Sequence, residues 1–91
     1  MAEVISFTGK LDFSAATDMH ATLTRHASQD MQLDLEDVSQ IGMLCLQVLV
    51  SAAKTAQAQG TGFELIRTPP RVRDQMALMG MPIETLLKGT L

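Results

Sequence analysis

The stretch Leu33-Asp34-Leu35-Glu36-Asp37-Val38-Ser39-Gln40-Ile41-Gly42-Met43-Leu44-Cys45-Leu46-Gln47-Val48-Leu49 constrains this chain more than any other. It opens in strict alternation of apolar and polar residues, as a strand with one covered face does. Glu36 and Asp37 lead into an acidic turn, and from about Gly42 the pattern becomes helical and apolar almost all round. A buried strand that runs directly into a buried helix needs other elements to cover both, so the flanking segments decide the fold.

Those segments alternate in the same way. Val4-Ile5-Ser6-Phe7-Thr8 is β-branched and aromatic and stops at Gly9, which predicts a strand. Between Ser14 and Ser28, Ala15, Met19, Leu23 and Ala27 recur every four residues, with Thr22 and His26 in the next row, which is the stripe of an amphipathic helix capped by Asp12 or Ser14. Met31 to Leu35 is the second strand, and the helix after it runs to Gln59, with Ser39 or Gly42 near its cap and Gly60 just past its end. From Ser51 onwards that helix turns amphipathic, with Lys54, Gln57 and Gln59 facing water. Phe63 to Ile66 is a third strand. Pro69-Pro70 forbids helix before Arg71, and Pro70 suits a first helical position. Val72, Met76 and Met79 form a stripe up to Gly80, Pro82 opens a short last helix, and Gly89-Thr90-Leu91 frays. Strand and helix in alternation predict one small α/β domain over residues 1–91, with helices on one or both faces of the sheet.

Composition narrows the function. A length of 91 residues leaves room for one domain, and with three Phe and no Trp or Tyr the core is built from Leu, Val, Ile, Met and Ala. The seven Met make that core adaptable. Net charge is −3 and the basic residues are scattered apart from Arg67, Arg71 and Arg73, so nucleic acid is not a partner. No apolar run spans a bilayer and no leader pattern opens the chain, which places it in the cytoplasm without membrane insertion. Cys45 has no second cysteine to pair with.

With the segments in order, the sequence resembles the STAS domain family of bacterial anti-sigma-factor antagonists. Thr8-Gly9-Lys10-Leu11-Asp12 is similar to the turn before the first STAS helix, and Leu33-Asp34-Leu35 with Asp37-Val38-Ser39 to the strand and turn before the phosphorylation loop. Gly60 to Ile66 and Arg67 to Gly80 resemble the family's later turn, strand and Pro-initiated helix. The resemblance implies a mixed sheet with three to four helices and a protein-interaction role in bacterial signal transduction. It also implies a further N-terminal strand, for which this sequence has no residues, so an exposed sheet edge is expected and homodimerisation through it is open.

The resemblance breaks at the loop. Where the family has Asp-Ser-Ser/Thr-Gly opening the helix, this chain has Gly42, Met43, Leu44 and Cys45, so the phosphoacceptor position is Met43. A thioether accepts no phosphoryl group, and the family's phosphate switch cannot run there. The partner-binding surface implied is Gly42, Met43 and Leu44 with Ser39, Gln40 and Gln47 at its rim, although Met43 and Leu44 can equally face the core. The implied partner is a histidine-kinase-type ATPase, such as a kinase-type anti-sigma factor, or a component of a chemotaxis or two-component complex. The alternatives are an accessory subunit of an ABC-type transporter complex and a binder of small apolar ligands built on the Met-rich third helix.

Other residues carry bland readings. Ser39 caps the helix or the turn rather than serving as a displaced phosphosite, and Ser51 and Thr55 lie well inside the helix. His20 and His26 are six apart and cannot chelate one metal. Asp34, Glu36 and Asp37 form a solvated turn complementing the helix dipole rather than a cation site. Cys45 is a small buried side chain. Arg67, Arg71 and Arg73 either hold an anion or an acidic partner or serve solubility. No catalytic constellation stands out, so neither enzyme activity nor a cofactor is expected.

Overall fold

The computed structural model describes residues 3–88. The order is β1 (Glu3–Leu11), a 3-10 turn (Phe13–Ala15), α1 (Ala16–Arg25), β2 (Met31–Ile41), α2 (Met43–Gln59), β3 (Phe63–Ile66), α3 (Pro70–Leu78) and α4 (Ile83–Lys88). Gly89-Thr90-Leu91, expected to fray, lie outside the described residues.

The three strands lie in the order β1-β2-β3 and run parallel throughout. The α/β class and the helix count stand, but the sheet is not mixed among the described residues. The reason is connectivity. Each neighbouring pair is joined through a helix, and a crossover returns the chain in its original direction.

Local chemistry sets most boundaries. Asp12 accepts from the Ser14 amide at 3.1 Å and from its hydroxyl at 2.7 Å, which caps the 3-10 turn and holds the Asp12 carboxyl below its usual pKa. α2 ends on Gly60 at φ +72°, with the Thr61 amide bonded to the Ala56 carbonyl and the Gly60 amide to that of Gln57. The same closure recurs after α3, where Gly80 at φ +80° lets Met81 donate to the Met76 carbonyl and brings two core methionines together. Pro70 is the first residue of α3.

Two strands run further than their sequence pattern predicts. β1 passes through Gly9, at φ +74°, to Leu11, and β2 passes through the acidic pair to Ile41. Pairing shifts between Ser6 and Thr8 and again between Gly9 and Lys10, because Asp34 to Asp37 and Val38 to Gln40 on β2 each carry one residue more than β1. These are β-bulges. They change the spacing of buried residues on β2 from two (Met31, Leu33, Leu35) to three (Leu35, Val38, Ile41), so every apolar side chain still reaches the core.

The core forms one cluster on one face of the sheet. It joins Ile5, Leu33, Leu35 and Val38 to Met19 and Leu23 of α1, Cys45, Leu46 and Leu49 of α2, Val72 and Met76 of α3, and Leu86 of α4. Each fully buried Leu or Met contributes roughly 1.5–3 kcal/mol relative to exposure. The opposite face is mostly polar. Val4, Ser6, Thr8 and Glu64 are exposed there, and Gln32 and Asp34 are half-buried. Across the ends of β2 and β3, Arg67 donates to Asp34 Oδ2 from both Nε (3.0 Å) and a terminal nitrogen (2.8 Å), while the Glu36 amide donates to Asp34 Oδ1 at 3.0 Å. Arg67 adopts φ +52°, a conformation unusual for a side-chain-bearing residue, at the point where β3 ends.

Two outcomes follow from this architecture. Gly60→Ala places a Cβ in open space but in a left-handed conformation, and lowers unfolding stability by about 1–2 kcal/mol in urea melts. Arg67 holds the Asp34 carboxyl below its ordinary value of 3.8, so the unfolded chain binds the proton more readily than the folded one. Stability from this pair is therefore present above that value and lost as pH falls through the lower folded pKa. Asp34→Asn flattens the fall of Tm as pH drops through and below the ordinary carboxylate value, as read by calorimetry.

Candidate functional site at the carboxyl end of the sheet

The site forms where β1 and β2 both end. The Gly42 amide donates to the Leu11 carbonyl at 2.8 Å, and the buried Cys45 thiol donates to the Asp12 carbonyl at 3.2 Å. These two bonds fasten the exit of β1 to the first turn of α2. A Cβ at position 42 would lie 3.4 Å from the Leu11 carbonyl oxygen, at the near limit of ordinary contact. Burial, and then the Asp12 carboxylate, raise the Cys45 pKa, so the thiol is protonated and unreactive.

Met43 and Leu44 open α2 and face outward, 50% and 40% exposed, while Cys45 and Leu46 behind them are buried. Of the two orientations open to them, solvent holds. The junction adds a residue that the sequence pattern does not announce. Phe13, 83% exposed, follows directly on Asp12, whose carbonyl sits on Cys45. Its signal was that it falls outside the Ala15, Met19, Leu23 stripe and so had no core position to fill. Leu78, 87% exposed, sits one turn along α3 from Gln75, whose Oε1 accepts from the Ile41 amide at 2.8 Å. Three of the five exposed large apolar side chains among the described residues, Phe13, Met43 and Leu44, thus belong to the segments joined at the Gly42 and Cys45 junction.

Gln40 and Gln47 are exposed. Ser39 is half-buried and does not cap α2, because it belongs to the second bulge of β2; the N-cap is Gly42, which makes no side-chain bond. The Ser39 carbonyl accepts from Arg71 at 3.5 Å, and an open groove of about 490 Å³ runs between Glu36, Asp37, Ser39 and the Pro69, Pro70, Arg71 segment. Glu36 and Asp37 lie on the strand and not in a turn before the helix. The first turn of α2 has no acidic residue, so the dipole reading of that cluster does not hold.

Arg67 is engaged with Asp34, which leaves Arg71 beside the site and Arg73 exposed. No group of His, Cys, Asp and Glu among the described residues is placed to hold a metal. Val72 and Met76 of the third helix are fully buried core, and Met79 is half-buried. Thr55 donates to the Ser51 carbonyl within α2. His26 meets Gln29 at 3.1 Å, and His20 lines a shallow groove of about 150 Å³ between α1 and α2. No helix is long and apolar enough to cross a membrane among the described residues.

Comparison with known proteins fits this geometry. The family model described as "Mlab, STAS domain" matches residues 1–88. No curated protein matches the sequence significantly. A solved structure titled "Crystal Structure Analysis of Mglu" is similar in fold, with a TM-score of 0.66 and 21% identity over 76% of this chain. The match spans 18% of that chain, so the likeness concerns one unit of a much longer protein. STAS domains are in general regulatory, protein-interaction modules rather than enzymes. By the extent of the family match and by its fold, the chain belongs to the STAS domain family.

Proposed function

We propose that this STAS domain is a constitutive docking module, which binds a protein partner through Phe13, Met43 and Leu44 with Gln40, Gln47 and the Ser39 segment at the rim. The observation that carries the reading is the exposure of Met43 and Leu44 at the helix start, and of Phe13 on the segment bonded to it, with a thioether at the position where the family resemblance expects a phosphorylated hydroxyl. Burial of such side chains contributes roughly 1.5–3 kcal/mol each, which only a partner can supply once the fold is complete. A hydroxyl in this place would let a phosphate, carrying nearly two negative charges, expel the partner. Met43 admits no such control. The setting we infer is bacterial signal transduction, with a histidine-kinase-type ATPase or a chemotaxis or two-component protein on the apolar surface.

Affinity capture from lysate of the source cell, with wild type and Met43→Asp compared, tests this. Met43 is exposed, so the variant keeps the wild-type circular dichroism and Tm within about 0.5 kcal/mol of stability. The expected result is a partner captured by wild type and held more than about tenfold more weakly by the variant. An ATP-binding transport subunit in that position would move the reading to a transporter accessory role. Identical captures by the two proteins would remove this surface from consideration.

A further inference from the structure

The free edge of the sheet is the second feature of the molecule that asks for a partner. The Glu3 amide donates to the Asp30 carbonyl, and the Leu11 carbonyl accepts from Gly42 at the end of β2, so both ends of β1 direct their odd-numbered backbone groups toward β2. Strand backbone alternates. The amides and carbonyls of Val4, Ser6 and Thr8 therefore point away from β2, and no strand pairs with them among the described residues. The usual protections of an edge are missing over this segment, which contains no proline, no charge and no bulge of its own. The opposite edge offers much less, since β3 has four residues and runs into Arg67 and Pro69.

Beside the β1 edge lies an open groove of about 290 Å³, lined by Phe7, Leu11, Ala15 and Met19 together with polar residues that include Thr8 and Asp18. Phe7 is only half-buried, and Val4 is 52% exposed. An added strand would both satisfy the outward backbone groups and lay apolar side chains along this groove.

We propose that the occupant is a second copy of this chain, paired antiparallel through β1 about a two-fold axis at Ser6, which makes one continuous six-stranded sheet. The strand is complementary to itself in that register. Ser6 faces Ser6 of the second copy and Val4 faces Thr8 as hydrogen-bonded pairs on the open face, while Ile5 faces Phe7 on the core face. The ends also match in charge. Antiparallel pairing brings the Glu3 end of each strand to the Lys10 end of the other and keeps the two Glu3 residues apart. The surface is self-complementary, as a two-fold interface requires. It is separate from the Met43 surface, and neither assignment depends on the other.

Sedimentation equilibrium from micromolar to sub-millimolar protein tests the pairing, with a doubling of the 9.9 kDa chain mass as the expected result. Ser6→Pro removes an outward amide that no described residue uses, and Ser6→Lys sets two like charges face to face on the axis. Both variants should remain at the single-chain mass with unchanged circular dichroism, and where Ser6→Pro disturbs the fold, Ser6→Lys decides. Directly opposed residues of this kind have Cα atoms about 5.5 Å apart, within disulfide reach, so Ser6→Cys should become a covalent dimer on mild oxidation while Thr17→Cys on α1 does not. A single-chain mass at every concentration overturns the proposal. So does a dimer that survives Ser6→Lys, or one that dissociates with Met43→Asp instead.

Discussion

β2 is the strand with neighbours on both sides, and the arrangement of the functional end follows from how its backbone satisfies two ladders at once. It pairs with β1 along its whole length and with β3 only through Met31 to Asp34. Past Asp34 it has one partner, and there it takes up two extra residues relative to β1. A regular strand continuing Met31, Leu33 and Leu35 would turn Val38 out of the core, because the side-chain period is two. The first bulge brings Val38 inward, the second returns Ile41 to the core face, and together they deliver Gly42 to within 2.8 Å of the Leu11 carbonyl. The tight junction at Gly42 and the outward aim of Met43 and Leu44 both depend on that delivery.

The chemistry of the site is the counterpart of its geometry. Two bonds at the junction, from the Gly42 amide to the carbonyl of Leu11 at the end of β1 and from the Cys45 thiol to that of Asp12 just beyond it, anchor the first turn of α2, which has no side-chain cap at Gly42. With no hydroxyl or carboxylate on the first turn, the outward positions are left to a Met and a Leu. A flexible thioether adapts to irregular surfaces better than a branched side chain does, which suits a partner of uneven relief. Area alone does not fix affinity, since association costs translational and rotational freedom, so a small patch needs well-packed anchors such as Phe13 to hold.

What could be read in the sequence was whatever is local. Gly60, Pro70 and the Phe63 to Ile66 run each announce their structure through backbone restrictions that act within a turn, and each element lies where those restrictions put it. The end of β2 could not be read, because two bulges give Leu35, Val38 and Ile41 a spacing of three, which looks like a strand giving way to a turn. That error carried over to Ser39, assigned to a cap when it sits on a bulge, and to Glu36 and Asp37, assigned to a helix dipole they do not reach. Met43 and Leu44 were legible as a departure from a family pattern. Phe13 joined them only through Asp12 and Cys45, a contact across 33 positions that no local pattern reports.

The two surfaces occupy opposite features of β1. Among the described residues its outer edge is unpaired along Val4 to Thr8, whereas its last residue is tied into the Gly42 junction. Partners at the edge and at the apolar patch therefore do not compete for the same atoms. Antiparallel pairing of two β1 strands would also point the two patches in opposite directions, separated by at least the length of the strand, about 30 Å for nine residues at 3.3 Å each. A target carrying two sites at that spacing would be held by avidity, with the second contact made at high effective concentration. A module with no phosphate switch at position 43 could then be regulated through its own concentration, because the bivalent form is populated only above the dissociation constant of the dimer.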